Sequence, residues 1–193
     1  MEETMKASSY LDTLIKILSQ IEVTNNQKDI LSLDEGMEKI IDQIMSIKSS
    51  NRKVMIVGNG GSAAIASHVH NDLCKSVGIR ALIFNEPSLL TALSNDLSYT
   101  VAFENLVNLW ADNGDMLIAI SSSGKSENIL RSAKSASENG CTVITLSGFK
   151  NDNPLRFMGQ VNFFVPSSEY GYVELIHSIL AHYISDAATK KGT

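Results

Sequence analysis

Hydrophobic residues recur at two different spacings, and the change of spacing divides the chain into two parts. Over the first fifty residues they recur every three or four positions, as along one face of an amphipathic helix. The pattern runs from Tyr10 to Ile21 and, after a polar break at residues 24–26, from Ile30 to Ile47. It predicts an N-terminal helical hairpin over about residues 1–50.

From residue 53 onwards, short and almost wholly apolar runs alternate with helical patterns. Such runs are typical of strands that are buried on both faces of a parallel sheet. The predicted strands are 53–57, 79–84, 115–120, 141–146 and 161–165, and the predicted helices are 63–76, 87–94, 98–111, 126–139 and 172–188. This alternation predicts an α/β fold, a three-layer αβα sandwich with a five-stranded, mostly parallel sheet over about residues 53–188. The length of 193 residues suits a single domain over 1–193.

Two loops rich in glycine and serine follow predicted strands. The first spans residues 58–62 (GNGGS) and the second residues 121–126 (SSSGKS). Each leads into a predicted helix, whose N-terminal N–H groups favour an anion, and ligands of open α/β sheets bind at this end of the strands. A tight turn or a helix cap would explain either loop alone, but two such loops in one small chain favour a phosphate site. The first loop is neither a Walker motif, because the GK[ST] ending is missing, nor a Rossmann motif. We expect no nucleotide cofactor.

Histidines and carboxylates occur at helical spacing in two of the predicted helices. His68 and Asp72 are four residues apart and share one helix face, and Glu174 and His182 are eight residues apart. Imidazole nitrogens and carboxylate oxygens suit Zn²⁺ or another divalent ion. Ion pairs on the helix surface are the alternative, and the residues by themselves favour that alternative.

Charge and composition narrow the range of partners. The chain has 16 Lys and Arg against 21 Asp and Glu, for a net charge of −5, and its basic residues are scattered. We therefore expect no nucleic-acid partner, because binding to phosphate backbones needs clustered cations. The two cysteines form no CxxC pair, no apolar run is long enough for a membrane span, and no secretory signal is recognisable. The expected location is the cytoplasm, with no membrane partner.

The segments VGNGGSAAIASH and ISSSGKSENIL resemble the sugar-isomerase (SIS) domain family and, within it, the phosphoheptose isomerases. The resemblance covers roughly residues 10–188. It implies an aldose–ketose isomerase of phosphosugars that converts sedoheptulose 7-phosphate into D-glycero-D-manno-heptose 7-phosphate for heptose or surface-glycan precursors. It also implies a homotetramer whose active sites are shared between subunits.

The resemblance assigns roles to particular residues. The implied substrate- and phosphate-binding residues are Asn59, Gly60, Gly61, Ser62, Asp96, Ser121, Ser122, Ser123 and Ser126. The implied metal ligands, for Zn²⁺ or another divalent ion, are His68, Asp72, Glu174 and His182. Enediolate chemistry needs a base and an acid. We assign the base to Asp72 or Glu174 and the acid to His182.

Three positions depart from the pattern of the phosphoheptose isomerases. That family has Glu where this chain has Asp72, Gln where it has Glu174, and Arg where it has Tyr172. The departures leave two alternatives open: an isomerase of a different phosphosugar, and a non-catalytic SIS module similar to the bacterial replication-initiator-associating protein. The retained acids and histidines favour an enzyme.

Overall fold

The computed structural model describes residues 5–192, in which helices and strands alternate as expected for an α/β protein. The helices are α1 (Ala7–Leu18), α2 (Leu33–Ser49), α3 (Gly61–Asp72), α4 (Pro87–Asp96), α5 (Tyr99–Trp110), α6 (Glu127–Glu138) and α7 (Tyr170–Lys191). The strands are β1 (Glu22–Asn25), β2 (Ile30–Leu31), β3 (Lys53–Gly58), β4 (Arg80–Ile83), β5 (Met116–Ser121), β6 (Thr142–Ser147) and β7 (Val161–Phe164). No helix within residues 5–192 combines the length and the apolar character needed to cross a membrane.

The seven strands form one sheet in the order β2-β1-β7-β6-β5-β3-β4. The five predicted strands run parallel to one another, from β7 to β4, which confirms the mostly parallel α/β fold. From β3 the chain moves through α3 to β4 at one edge, and β5 then lies on the other side of β3. The carboxyl ends of β3 and β5 therefore flank the point where the strand order reverses, which is where ligands of such sheets bind.

The predicted count of five strands is too low, because residues 22–31 form a β-hairpin between the two N-terminal helices. Strand β1 pairs antiparallel with both β2 and β7. The Asn25 side chain stabilises the turn by accepting hydrogen bonds from the N–H groups of Gln27 and Asp29, each at 2.9 Å. Buried Val23 packs over Gly36 of α2. The apolar residues before and after the turn thus belong to a helix–strand–strand–helix unit rather than to a plain helical hairpin.

Alternate residues of each central strand pack against different helix layers. In β3, Val54 and Ile56 face the layer that contains α2, α3 and α7, whereas Met55 and Val57 face the layer that contains α5 and α6. All four side chains are buried. Burial of one such side chain stabilises the fold by roughly 1.5–3 kcal/mol. The two apolar layers hold the sheet rigidly, and the strand ends carry the polar groups.

An ionic cluster lies at the amino ends of β3 and β5, with Lys53 and Asp115 buried and Asp112 exposed. The Lys53 ammonium is 2.5 Å from the Asp115 carboxylate and 2.7 Å from that of Asp112. The Asp115 oxygens also accept from the backbone N–H groups of Lys53 and Asp112. Burial disfavours the Lys53 ammonium, but its hydrogen bonds to Asp112 and Asp115 outweigh burial and raise the pKa of Lys53. Each of the three charges in this cluster has a partner of opposite sign.

Candidate functional site

The two glycine- and serine-rich loops meet in one pocket at the carboxyl ends of β3 and β5. We call it the loop pocket, and its volume is about 270 Å³. Its lining residues are Asn59, Gly60, Gly61, Ser62, Ser121, Ser122, Ser123, Ser126, Tyr170 and Glu174. Eight of the nine residues assigned to the substrate therefore lie together, and the ninth, Asp96, does not line this pocket.

The loop pocket offers neutral hydrogen-bond donors. Helix α3 begins after Gly60, which has no side chain to cap it, and helix α6 begins after Ser126, whose side chain makes no capping hydrogen bond. The N–H groups of both first turns are thus free of side-chain acceptors. Ser122 Oγ is buried and has no hydrogen-bond partner among the described residues. Donors converging from two helix N-termini suit a phosphate.

Glu174 of α7 forms one wall of the loop pocket. Its carboxylate lies so close to Gly61 that a Cβ at position 61 would be only 2.3 Å from Oε2. A side chain at position 61 would therefore displace the Glu174 carboxylate from the wall of the pocket. The negative charge of Glu174 limits where an anion can sit in the pocket, and favours the side nearer the serine loop.

A second group of residues brings together the carboxyl-terminal part of α3 and the middle of α7. Asp72 Oδ2 is 3.3 Å from His68 Nε2 and 3.8 Å from His182 Nδ1. The two imidazole rings lie 4.5 Å apart, centre to centre, and the Ser185 hydroxyl donates to Asp72 Oδ2 at 3.3 Å. Asp72 thus has a defined orientation between two histidines, and we call His68, Asp72 and His182 the acid–base group.

The acid–base group has the composition of a metal site. One ligand atom from each of its three residues lies within 4.8 Å of the others. Two imidazoles and one carboxylate are the three protein ligands that many catalytic zinc sites use. Glu174, the fourth predicted ligand, is not in this group, because eight residues of helix separate it from His182 by about 12 Å along the axis.

Asp96 lies at the exposed end of α4 and accepts a hydrogen bond from Asn95 at 2.9 Å. Its role toward a sugar remains a prediction. Conversely, Tyr170 lines the loop pocket although no sequence pattern indicated it. It is the first residue of α7, and its ring makes an edge-to-face contact with that of Phe149 that only the folded chain creates.

His177 is a buried histidine of α7. Its Nε2–H donates to the carbonyl oxygen of Ser147, the last residue of β6, at 3.2 Å. Its Nδ1 has no hydrogen-bond partner among the described residues. Burial lowers the pKa of His177 to about 4, although the hydrogen bond to Ser147 opposes this shift. At neutral pH this side chain is uncharged and joins α7 to the central sheet.

The family model of the SIS domain matches residues 9–148. The chain is 30% identical over 182 residues to phosphoheptose isomerase of Helicobacter hepaticus, covering 91% of this chain and 92% of the relative. It is 33% identical over 164 residues to phosphoheptose isomerase of Clostridium acetobutylicum, covering 81% and 83%. The solved structure of phosphoheptose isomerase GmhA from Neisseria gonorrhoeae shares the fold, with a TM-score of 0.80, 24% identity, and coverage of 95% and 96% of the two chains.

Proposed function

The chain belongs to the SIS domain family, and we propose that it is a phosphosugar isomerase that interconverts sedoheptulose 7-phosphate and D-glycero-D-manno-heptose 7-phosphate. The similarity to named phosphoheptose isomerases supports the substrate. One observation carries the proposal: α3 begins at the loop pocket and ends in the acid–base group. His68 lies about 9 Å along α3 from Ser62, a separation that a seven-carbon sugar phosphate can span.

The reaction moves a proton between C1 and C2 of the sugar through an enediolate. It needs a base to remove the proton and an acid to protonate the oxygen. We assign the base to Asp72, which Ser185 orients, and the acid to His182, whose Nδ1 lies 3.8 Å from Asp72 Oδ2. Glu174 is the alternative base, since it lines the pocket itself. The serine loop would hold the phosphate and supply binding energy at the non-reacting end.

The acid–base group also fits a divalent metal, and zinc is the ion that its ligands suit best. His68, Asp72 and His182 would hold it. A zinc ion bound there would supply Lewis-acid polarisation of a carbonyl. In that arrangement His68 acts as a metal ligand. Glu174 is not a ligand and lines the loop pocket, where it can contact the sugar.

The test is an assay of sedoheptulose 7-phosphate isomerisation with the wild type and the Asp72→Asn and His182→Ala variants. We expect kcat to fall by roughly 10²–10⁴-fold in each, as for the loss of a general acid or base. The matched control is Asp186→Asn, which changes an exposed acid on α7, the helix that carries His182, and it should retain activity. Undiminished turnover in both site variants would refute the assigned roles.

Tyr172 favours a second candidate, an isomerase of a different phosphosugar. Its buried ring stacks on that of Tyr10, with 4.5 Å between the ring centres, where the phosphoheptose isomerases carry Arg. The chain therefore brings no cation to the site at this position. Parallel assays with phosphates of five-, six- and seven-carbon ketoses would separate the candidates. Phosphate binding without turnover of any sugar, together with no bound metal, would instead indicate a non-catalytic binding module.

The proposed assembly is a homotetramer with shared sites. Support comes from the half-exposed histidines of the acid–base group and from an apolar groove between α1, α2 and α7. That groove includes Ile15, Ile179 and Tyr183, which are large and exposed. Light scattering should give four times the chain mass. A mass of a single chain in that measurement would refute the assembly.

A further inference from the structure

The two halves of the loop pocket are joined by a pair of side-chain amides. Asn59 Nδ2 donates to Asn128 Oδ1, and Asn128 Nδ2 donates to Asn59 Oδ1, both at 3.0 Å. The Tyr99 hydroxyl donates to the same Asn59 oxygen at 2.6 Å. We call these three side chains the amide brace. It connects the loop after β3 to the first turn of α6, which follows the serine loop.

The hydrogen bonds of the brace determine what Asn59 can offer a ligand. A carboxamide has two lone pairs on its oxygen and two hydrogens on its nitrogen. Both lone pairs of Asn59 Oδ1 are occupied, by Asn128 and Tyr99, whereas Nδ2 uses one hydrogen. Asn59 lines the loop pocket, and its side chain has one N–H donor and no acceptor left for a ligand. That polarity suits an anion.

We infer that Asn128 and Tyr99 are positioning residues for anion binding, although neither lines the loop pocket. They orient the Asn59 amide and set the separation between the loop after β3 and the serine loop, next to which the anion is held. Asn128 is only 4% exposed, so water cannot easily replace its hydrogen bonds. Tyr99 acts from the opposite side of the loop, where it lines a neighbouring cavity with Asn59 and Gly60. The identity of the anion as a sugar phosphate rests on the proposed function.

The experiment measures the affinity of the whole protein for inorganic phosphate by calorimetry. Asn128→Ala and Tyr99→Phe are uncharged changes, so they do not alter the field in the pocket. We expect the affinity to fall about tenfold in Asn128→Ala and about threefold in Tyr99→Phe. The control is Asn139→Ala at the other end of α6, where the amide bonds to Asn108 and Ser135. It should bind phosphate as the wild type does.

Two further readouts make the outcome decisive. With sedoheptulose 7-phosphate, KM should rise by about the same factors as the loss of phosphate affinity, and kcat should change less. Wild-type phosphate affinity in both variants, even with lowered melting temperatures, would overturn the inference and leave the brace a purely structural feature. Weakened phosphate binding in a protein that isomerises no sugar would refute the proposed function and support the brace.

Discussion

The hydrogen bonding of polar groups differs between the amino ends and the carboxyl ends of strands β3 and β5. At the amino ends, Lys53, Asp112 and Asp115 are charged and hydrogen-bonded to one another. At the carboxyl ends, the loop pocket is neutral apart from Glu174, and Ser122 Oγ has no partner among the described residues. Buried polar groups stabilise a fold only when they are paired. The amino end therefore contributes to stability, whereas the carboxyl end keeps its donors available for a ligand.

The largest expected effect on stability comes from removing the lysine of the ionic cluster at the amino ends of β3 and β5. Lys53→Met leaves the Asp115 carboxylate buried without its counter-charge, which costs about 3–5 kcal/mol of unfolding free energy. The site lies at the other end of the sheet, so phosphate affinity of the folded protein should not change. Denaturant unfolding and calorimetry with phosphate measure the two quantities. A Lys53→Met protein of wild-type stability would show that the cluster is not the stabilising element described here.

The next largest effect is expected for His177, the buried side chain of α7 that contacts the carboxyl end of β6. Because burial lowers the pKa of His177 to about 4, below its ordinary value of 6.5, the unfolded chain takes up the proton first. The contribution of neutral His177 is complete above pH 6.5 and is lost as the pH falls to 4. The loss amounts to on the order of 3 kcal/mol.

The variant His177→Gln isolates this effect from the other titrating groups. Its amide can still donate to the Ser147 carbonyl but does not titrate in this range. Unfolding free energies measured at several values between pH 6.5 and 4 should therefore decline less steeply than those of the wild type. Equal slopes would mean that His177 is protonated with an ordinary pKa.

Removing the unpaired donor of the pocket sharpens the comparison. In Ser122→Ala, phosphate affinity should fall about tenfold, because a hydrogen bond to a charged ligand is lost. Stability should stay the same or rise slightly, since the buried hydroxyl has no partner in the described part of the protein. Thermal melts without and with phosphate test both points. A clear loss of stability without ligand would argue that Ser122 serves the fold.

The smallest effect is expected for an ion pair on the surface of α6, at neither end of strands β3 and β5. Lys134 and Glu138 lie 3.6 Å apart on α6, and both side chains are largely exposed. Lys134→Ala should change the unfolding free energy by less than about 0.5 kcal/mol, because solvent screens such pairs. Comparison with Lys53→Met in the same denaturant series shows how strongly burial controls the contribution of a lysine–carboxylate pair. Similar losses in the two variants would contradict that view.

Sequence predicts the sheet and the loop pocket well because both depend on local patterns. Buried parallel strands appear in the sequence as apolar runs. Each glycine- and serine-rich loop directly follows its strand in the chain and therefore lies at the end of that strand in the sheet. The β-hairpin at residues 22–31 was missed, because its pairing with β7 joins segments about 140 residues apart. Tyr170 and the amide brace depend on tertiary contacts in the same way. Likewise, helical spacing brings His68 to Asp72, but only the packing of α3 on α7 brings His182 to both.

The β-hairpin has a consequence for how the protein meets other chains. Without it, β7 would end the sheet and leave a row of open backbone N–H and C=O groups, the template on which strands of neighbouring molecules add. Strand β1 covers that row, and the new border, β2, is only two residues long. The hairpin thus protects the sheet on this side against growth from molecule to molecule and against fibre-like aggregation.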